Sequence, residues 1–140
     1  MHIRLTAFLT VVACTVLGGC GDSNVASVSG TVKLDGKPLA NAFVAFQPTG
    51  TELNPGPGST GRTGEQGQYT LQVIGGGKGA AVGKHRVEIR CPITDGKAVP
   101  DDDLPRNFRD RVPPKYNLES TLTFEVKQGS NTADFDLRTK

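Results

Sequence analysis

Apolar side chains recur at every second position in five separate segments of this 140-residue chain. The alternating residues are Val28, Gly30, Val32 and Leu34; Tyr69, Leu71 and Val73; Val87, Ile89 and Cys91; Leu122, Phe124 and Val126; and Ala133, Phe135 and Leu137. A period of two indicates a β-strand with one face in the core and the other in water. No stretch shows a helical period, so the sequence predicts an all-β fold.

Two further strands complete the predicted set. Residues 41–47 carry Phe43 and Phe46 on opposite faces, which indicates a strand covered on both sides or lying partly under a loop, and residues 60–63 form a short seventh strand. Turn signals such as Asp35-Gly36 separate the segments. Seven short strands with turns between them predict an antiparallel β-sandwich, in which two sheets bury their apolar faces against each other.

Three connections are long, at residues 48–59, 75–83 and 92–120. The last contains five prolines and much of the chain's charge, and loops of this length are usually functional or disordered. We therefore expect any recognition surface to lie there. The candidate ligand-binding residues are Asp101, Asp102, Asp103, Arg106, Arg109 and Tyr116.

The amino terminus has the parts of an export signal. Arg4 precedes an apolar run over residues 5–17, and Gly18-Gly19 supplies the small residues of a cleavage site. The run is shorter than the roughly 20 residues that a membrane-spanning helix needs. The alternative is a buried helix with Cys20 as a core thiol, but the threonines and glycines of this stretch make a poor helix.

Residues Leu17-Gly18-Gly19-Cys20 resemble the lipobox of bacterial lipoproteins. The resemblance implies cleavage before Cys20, a diacylglyceryl group with fatty acyl chains such as palmitate on its sulfur, and attachment to a membrane. The expected organisation is a cleaved signal peptide at 1–19, a lipidated tether at 20–24 and a β-sandwich domain at 25–140. We expect an exported, lipid-anchored envelope protein, on the outer membrane facing the periplasm or on the cell surface.

The run 28–48, which contains Asp35-Gly36-Lys37-Pro38-Leu39, and the later run Gly64 to Leu71 resemble the carboxypeptidase regulatory-like domains of the transthyretin-like class. The resemblance implies a seven-stranded, transthyretin-like or immunoglobulin-like sandwich. Members of this class are usually accessory or binding modules. It therefore implies a non-enzymatic structural or protein-binding module whose partners are envelope proteins.

The residue inventory argues against several chemistries. The formal net charge is only +2, so nucleic acid is not an expected partner. The ligand sets of related sandwich enzymes, the hydroxyisourate hydrolases and intradiol dioxygenases, cannot be assembled from His85, Tyr69 and Tyr116. His85 and Cys91 have no third metal ligand nearby in sequence. We expect no catalytic residue, metal or cofactor, His85 as a packed or capping residue, and Cys91 as an unpaired, buried thiol.

Two alternatives remain for the 92–120 segment. The acidic run 101–103 could bind calcium, although the arginines that follow favour a solvated loop with compensating charges. Tyr116 and the loop 101–111 could bind a polysaccharide, with the ring as a stacking platform; otherwise Tyr116 packs over the open end of the sandwich.

Overall fold

The fold is a β-sandwich, seen in a computed structural model that describes residues 24–50, 55–94 and 96–140. The expected signal peptide and Cys20 lie outside the described residues. None of the helical segments in the described ranges is long and apolar enough to cross a membrane. The regular elements are strands and two 3-10 turns, which confirms the all-β prediction.

The described residues form fourteen strands, several of only two or three residues. They are β1 (Val25–Leu34), β2 (Lys37–Pro38), β3 (Phe43–Pro48), β4 (Ser59–Arg62), β5 (Gln68–Thr70), β6 (Gln72–Val73), β7 (Ala80–Ala81), β8 (Gly83–Arg90), β9 (Pro92–Thr94), β10 (Lys97–Ala98), β11 (Arg109–Asp110), β12 (Thr123–Val126), β13 (Ser130–Thr132) and β14 (Phe135–Leu137). The 3-10 turns are Asp101–Asp103 and Pro114–Tyr116.

Two main sheets make the sandwich. One has the order β12-β8-β3-β4-β6, with every neighbouring pair antiparallel. The other is built around the long strand β1, which pairs antiparallel with β2, β5 and β7. On its other side β1 pairs in parallel with β13 and β14. The parallel pairs were not predicted; they arise because the chain crosses from β12 in one sheet to β13 in the other, and such a crossing does not impose the reversal of a hairpin.

The alternating apolar residues form the core, as the sequence predicts. Val28, Val32, Val87 and Ile89 are fully buried, and Phe46 is the largest buried side chain between the sheets. The predicted strand at 68–73 differs in one respect, because β5 pairs with β1 and β6 pairs with β4. The chain therefore passes between sheets at this point while keeping its inward face buried.

A close approach of two backbones fixes the carboxyl-terminal segment against β1. A Cβ atom placed on Gly30 would overlap the carbonyl group of Ala133. Tyr69, opposite Gly30 in register, donates its hydroxyl hydrogen to that same carbonyl at 2.6 Å. Glycine at position 30 is thus required by space, and the tyrosine satisfies a carbonyl that the packing removes from water.

Both β1 and β8 run from one end of the sandwich to the other. Just before both strands begin, the Val82 amide donates to the Asn24 carbonyl at 2.8 Å. At the other end, the thiol of Cys91, just after β8, contacts the carbonyl of Ala40 at 3.6 Å, and the neighbouring Leu39 amide donates to the Val32 carbonyl of β1. We call the end that holds Val25 the tether end and the end that holds Cys91 the far end.

Candidate functional site

The segment predicted as one long loop folds at the far end. Strand β9 pairs with both β10 and β11, and Arg109 lies opposite Ile93 in register. This small three-stranded sheet was not predicted, because strands of two or three residues are too short to show a period. The segment is therefore a structured candidate surface.

An aspartate ties this segment to the end of the main sheet. One carboxylate oxygen of Asp110 accepts hydrogen bonds from the backbone amides of Cys91, at 2.8 Å, and Val112, at 2.9 Å. The side-chain amide of Asn117 lies 3.4 Å from the other oxygen and donates to the Val112 carbonyl at 3.1 Å. Because Asn117 and Val112 are buried, these bonds hold a defined backbone path.

The return of the chain toward β12 is held by Arg86 on β8. Its guanidinium group donates to the carbonyl oxygens of Ser120, Leu118 and Asn117, at 3.0, 3.2 and 3.3 Å. It also pairs with Glu88 on the same strand. A planar guanidinium with five donors suits this multiple capture of carbonyl groups.

The predicted ligand-binding residues lie in different elements of the segment: Asp101–Asp103 form a 3-10 turn, Arg109 begins β11 and Tyr116 ends the second 3-10 turn. Asp102, Asp103, Arg106 and Arg109 are all exposed, and the acidic run forms a short 3-10 turn. Within the described ranges, no group of three or more histidine, cysteine, aspartate or glutamate side chains is placed to hold a metal ion. This arrangement resembles the solvated loop that the neighbouring arginines favour.

Tyr116 packs over the far end of the sandwich. It is half-buried against the core, and its hydroxyl oxygen accepts a hydrogen bond from the backbone amide of Arg138 at 3.1 Å. The Lys115 ammonium lies 5.1 Å from the ring centroid. The ring and its hydroxyl thus have partners within the chain, and only part of the ring could stack on a sugar.

Next to these residues is an apolar depression of about 390 Å³, which we call the far-end groove. Its lining residues are Arg90, Phe108, Asp110, Arg111, Val112, Pro113, Pro114, Asn117 and Leu118. Phe108 is 40% exposed and Leu118 is 73% exposed, so two large apolar side chains of the groove are open to solvent. Neither side chain was predicted as a site residue. The available signal in the sequence was an apolar residue within a proline-rich, charged segment.

Cys91 and His85 lie in the core, outside the groove. Cys91 is fully buried and unpaired, as predicted, and burial raises the pKa of its thiol. His85 is 1% exposed and packs 5.7 Å from the Phe46 ring, as expected of a packed residue. Its Nδ1 donates to the Gly83 carbonyl at 3.0 Å, and burial lowers the pKa of the imidazole.

These features define the chain as an all-β protein with a sandwich of mainly antiparallel sheets. No family model matches the sequence. No curated protein matches it either. Among solved structures, it is similar to a DUF3823 family protein from Parabacteroides merdae, with 16% identity and a TM-score of 0.43. The likeness covers 83% of this chain and 47% of that protein, so the chain spans about half the length of its neighbour.

Proposed function

We propose that this protein is a membrane-anchored, non-enzymatic envelope lipoprotein whose β-sandwich presents a protein-binding surface at its far end. The observation that supports this most directly is the separation of the two ends. Residue 25, next to the expected tether, begins β1, while Tyr116 of the 92–120 segment lies at the other end of the strand, where it accepts a hydrogen bond from Arg138, next to the Leu34–Leu137 pair. Ten residues of strand at about 3.3 Å each place the far end about 30 Å from the tether.

The far-end groove supports a protein partner in preference to a polysaccharide. Phe108 and Leu118 present exposed apolar surface beside backbone that Asp110 and Arg86 hold in place. A pre-ordered apolar patch with a polar rim is the pattern of a protein interface. Sugar recognition would depend on Tyr116, whose ring is half-buried and whose hydroxyl is already hydrogen-bonded.

Photocrosslinking in the native envelope tests the partner. A benzophenone amino acid at Phe108 should form a discrete adduct with one protein, whereas the same amino acid at Glu125, which is exposed on β12, should not. No adduct from Phe108, or the same adducts from both positions, would contradict the proposal. Saturable binding to a glycan array that Tyr116→Ala abolishes would favour the polysaccharide alternative.

The anchor has its own test. Cys20→Ser should abolish lipid labelling and leave a heavier, unprocessed precursor, because the thioether to the diacylglyceryl group forms at that sulfur. A matched Cys91→Ser variant should be labelled and processed as usual. Normal processing of Cys20→Ser would remove the basis for the membrane attachment.

A further inference from the structure

At the tether end, exposed apolar and basic side chains lie together. Val25 is 40% exposed and Val82 is 38% exposed, although both are aliphatic residues. The hydrogen bond from the Val82 amide to the Asn24 carbonyl brings them together, and with Lys84 they line one cavity of about 560 Å³. Aliphatic side chains in this position expose apolar area right beside the expected tether.

Three exposed lysines lie in segments that adjoin the two valines. Lys84 lies in β8 two residues after Val82, and Lys127 follows Val126, which pairs with Gly83. Lys78 precedes Gly79, where a Cβ atom would come within 3.1 Å of the Val25 side chain. Glu125 lies opposite Lys84 in register, so the lysines outnumber this acidic neighbour. We call Val25, Lys78, Val82, Lys84 and Lys127 the tether-end surface.

The length of the tether decides what this surface faces. Residues 21–24 span at most about 14 Å when fully extended. The headgroup layer on each side of a bilayer is several ångströms thick, so a tether of this length leaves little water between the lipid and Val25. Lysines also attract anionic headgroups while aliphatic side chains enter the interfacial layer, the combination found in peripheral membrane surfaces.

We propose that the tether-end surface docks on an anionic lipid bilayer and fixes the orientation of the domain on the membrane. This inference rests on the proposed acylation of Cys20, which supplies the membrane proximity. When this surface lies on the lipid, β1 extends away from the membrane and the far-end groove faces away from the lipid. Self-association through Val25 and Val82 is the competing use of the same apolar area.

Lipid-dependent fluorescence quenching tests the orientation with the acylated full-length protein. Val82→Cys and Phe108→Cys would each carry an environment-sensitive fluorophore; the two native side chains are 38% and 40% exposed, so they form a matched pair. The buried Cys91 remains unlabelled in the unsubstituted protein, which serves as the blank. The vesicles contain phosphatidylcholine and phosphatidylglycerol in a two-to-one ratio, with a brominated lipid as quencher.

The probe at position 82 should lose several-fold more fluorescence than the probe at position 108. Lys84→Glu, or vesicles of phosphatidylcholine alone, should reduce that difference. A labelled Lys84→Cys variant gives a second reading at an exposed position, should Val82→Cys fold poorly. Equal quenching at 82 and 108 in protein that floats with the vesicles would overturn the docking surface alone.

Two other results would also overturn the inference. Protein that fails to float would contradict the acylation, and with it the membrane contact. If the brominated lipid is omitted and a second copy of the protein that carries a quencher reduces the fluorescence at position 82, the surface joins two protein molecules.

Discussion

Replacing Tyr69 with phenylalanine should destabilise the domain by about 1–3 kcal/mol, the usual cost of leaving a buried polar group unpaired. The Tyr69 hydroxyl donates to the Ala133 carbonyl at 2.6 Å, and the two residues are 4% and 1% exposed. Water therefore does not replace the lost donor. The ring itself remains, so the change isolates the hydrogen bond from the packing.

Tyr116→Phe is the matched control for this measurement. Its hydroxyl also has a backbone partner, the Arg138 amide at 3.1 Å, but that amide lies in an exposed part of the chain. Water can take the place of the hydroxyl, so the loss should stay near 0.5 kcal/mol, as for most surface changes. The same chemical change thus gives two different costs, decided by burial.

Urea denaturation followed by circular dichroism measures both variants. With a dependence of about 1–3 kcal/mol per molar urea, Tyr69→Phe should lower the midpoint by roughly 1 M, and Tyr116→Phe by a small fraction of that. Equal midpoints for the two variants would refute the reasoning. It would mean that the Ala133 carbonyl is satisfied without Tyr69, and that the carboxyl-terminal segment is held to β1 by other contacts.

Three further predictions concern the core. Gly30→Ala should cost about 1–3 kcal/mol through the overlap with Ala133, and an unchanged midpoint in the same urea assay would show that β1 can move aside. Cys91 should react with thiol reagents only after denaturant is added, because the residue is fully buried; rapid labelling of the native protein would contradict its inward orientation. Burial lowers the pKa of His85, so the folded state binds fewer protons than the unfolded chain; stability should fall as the pH drops below the unfolded value of about 6.5 and level off below the folded pKa. His85→Gln should flatten this dependence, and an unaltered pH profile would assign it to other groups.

Much of the fold could be predicted because the sequence of a single strand shows, by its alternation, which of its faces is buried. Val87 and Ile89 alternate with charged residues. Their inward orientation therefore follows from this period alone, independently of which strands pair with β8. The parallel pairing of β13 and β14 with β1 is different in kind. The parallel pairing depends on where the chain crosses between the sheets. The residues between Val126 and Ser130 carry no sequence signal that distinguishes this crossing from a hairpin turn.

The sequence singles out a segment for the candidate site but not the internal structure of that segment. Prolines and charge indicated the 92–120 segment, and most of the predicted residues there are exposed. Asp110, which organises the segment, stands between Arg109 and Arg111 and resembles part of a solvated charge run. Its role depends on amides of Cys91 and Val112 that are brought to it by folding.

Both proposed surfaces lie at strand ends, where alternation carries no information. Within a strand, an exposed apolar residue departs from the alternation and can be identified from the sequence. Val82 and Phe108 lie outside the alternating segments, so the sequence does not identify them. Their proposed roles follow only from their positions, Val82 beside the expected tether and Phe108 toward the opposite end of β1. A rigid strand of about 30 Å between them would couple the two proposed roles, because an orientation of the tether end on lipid would also fix the direction of the groove.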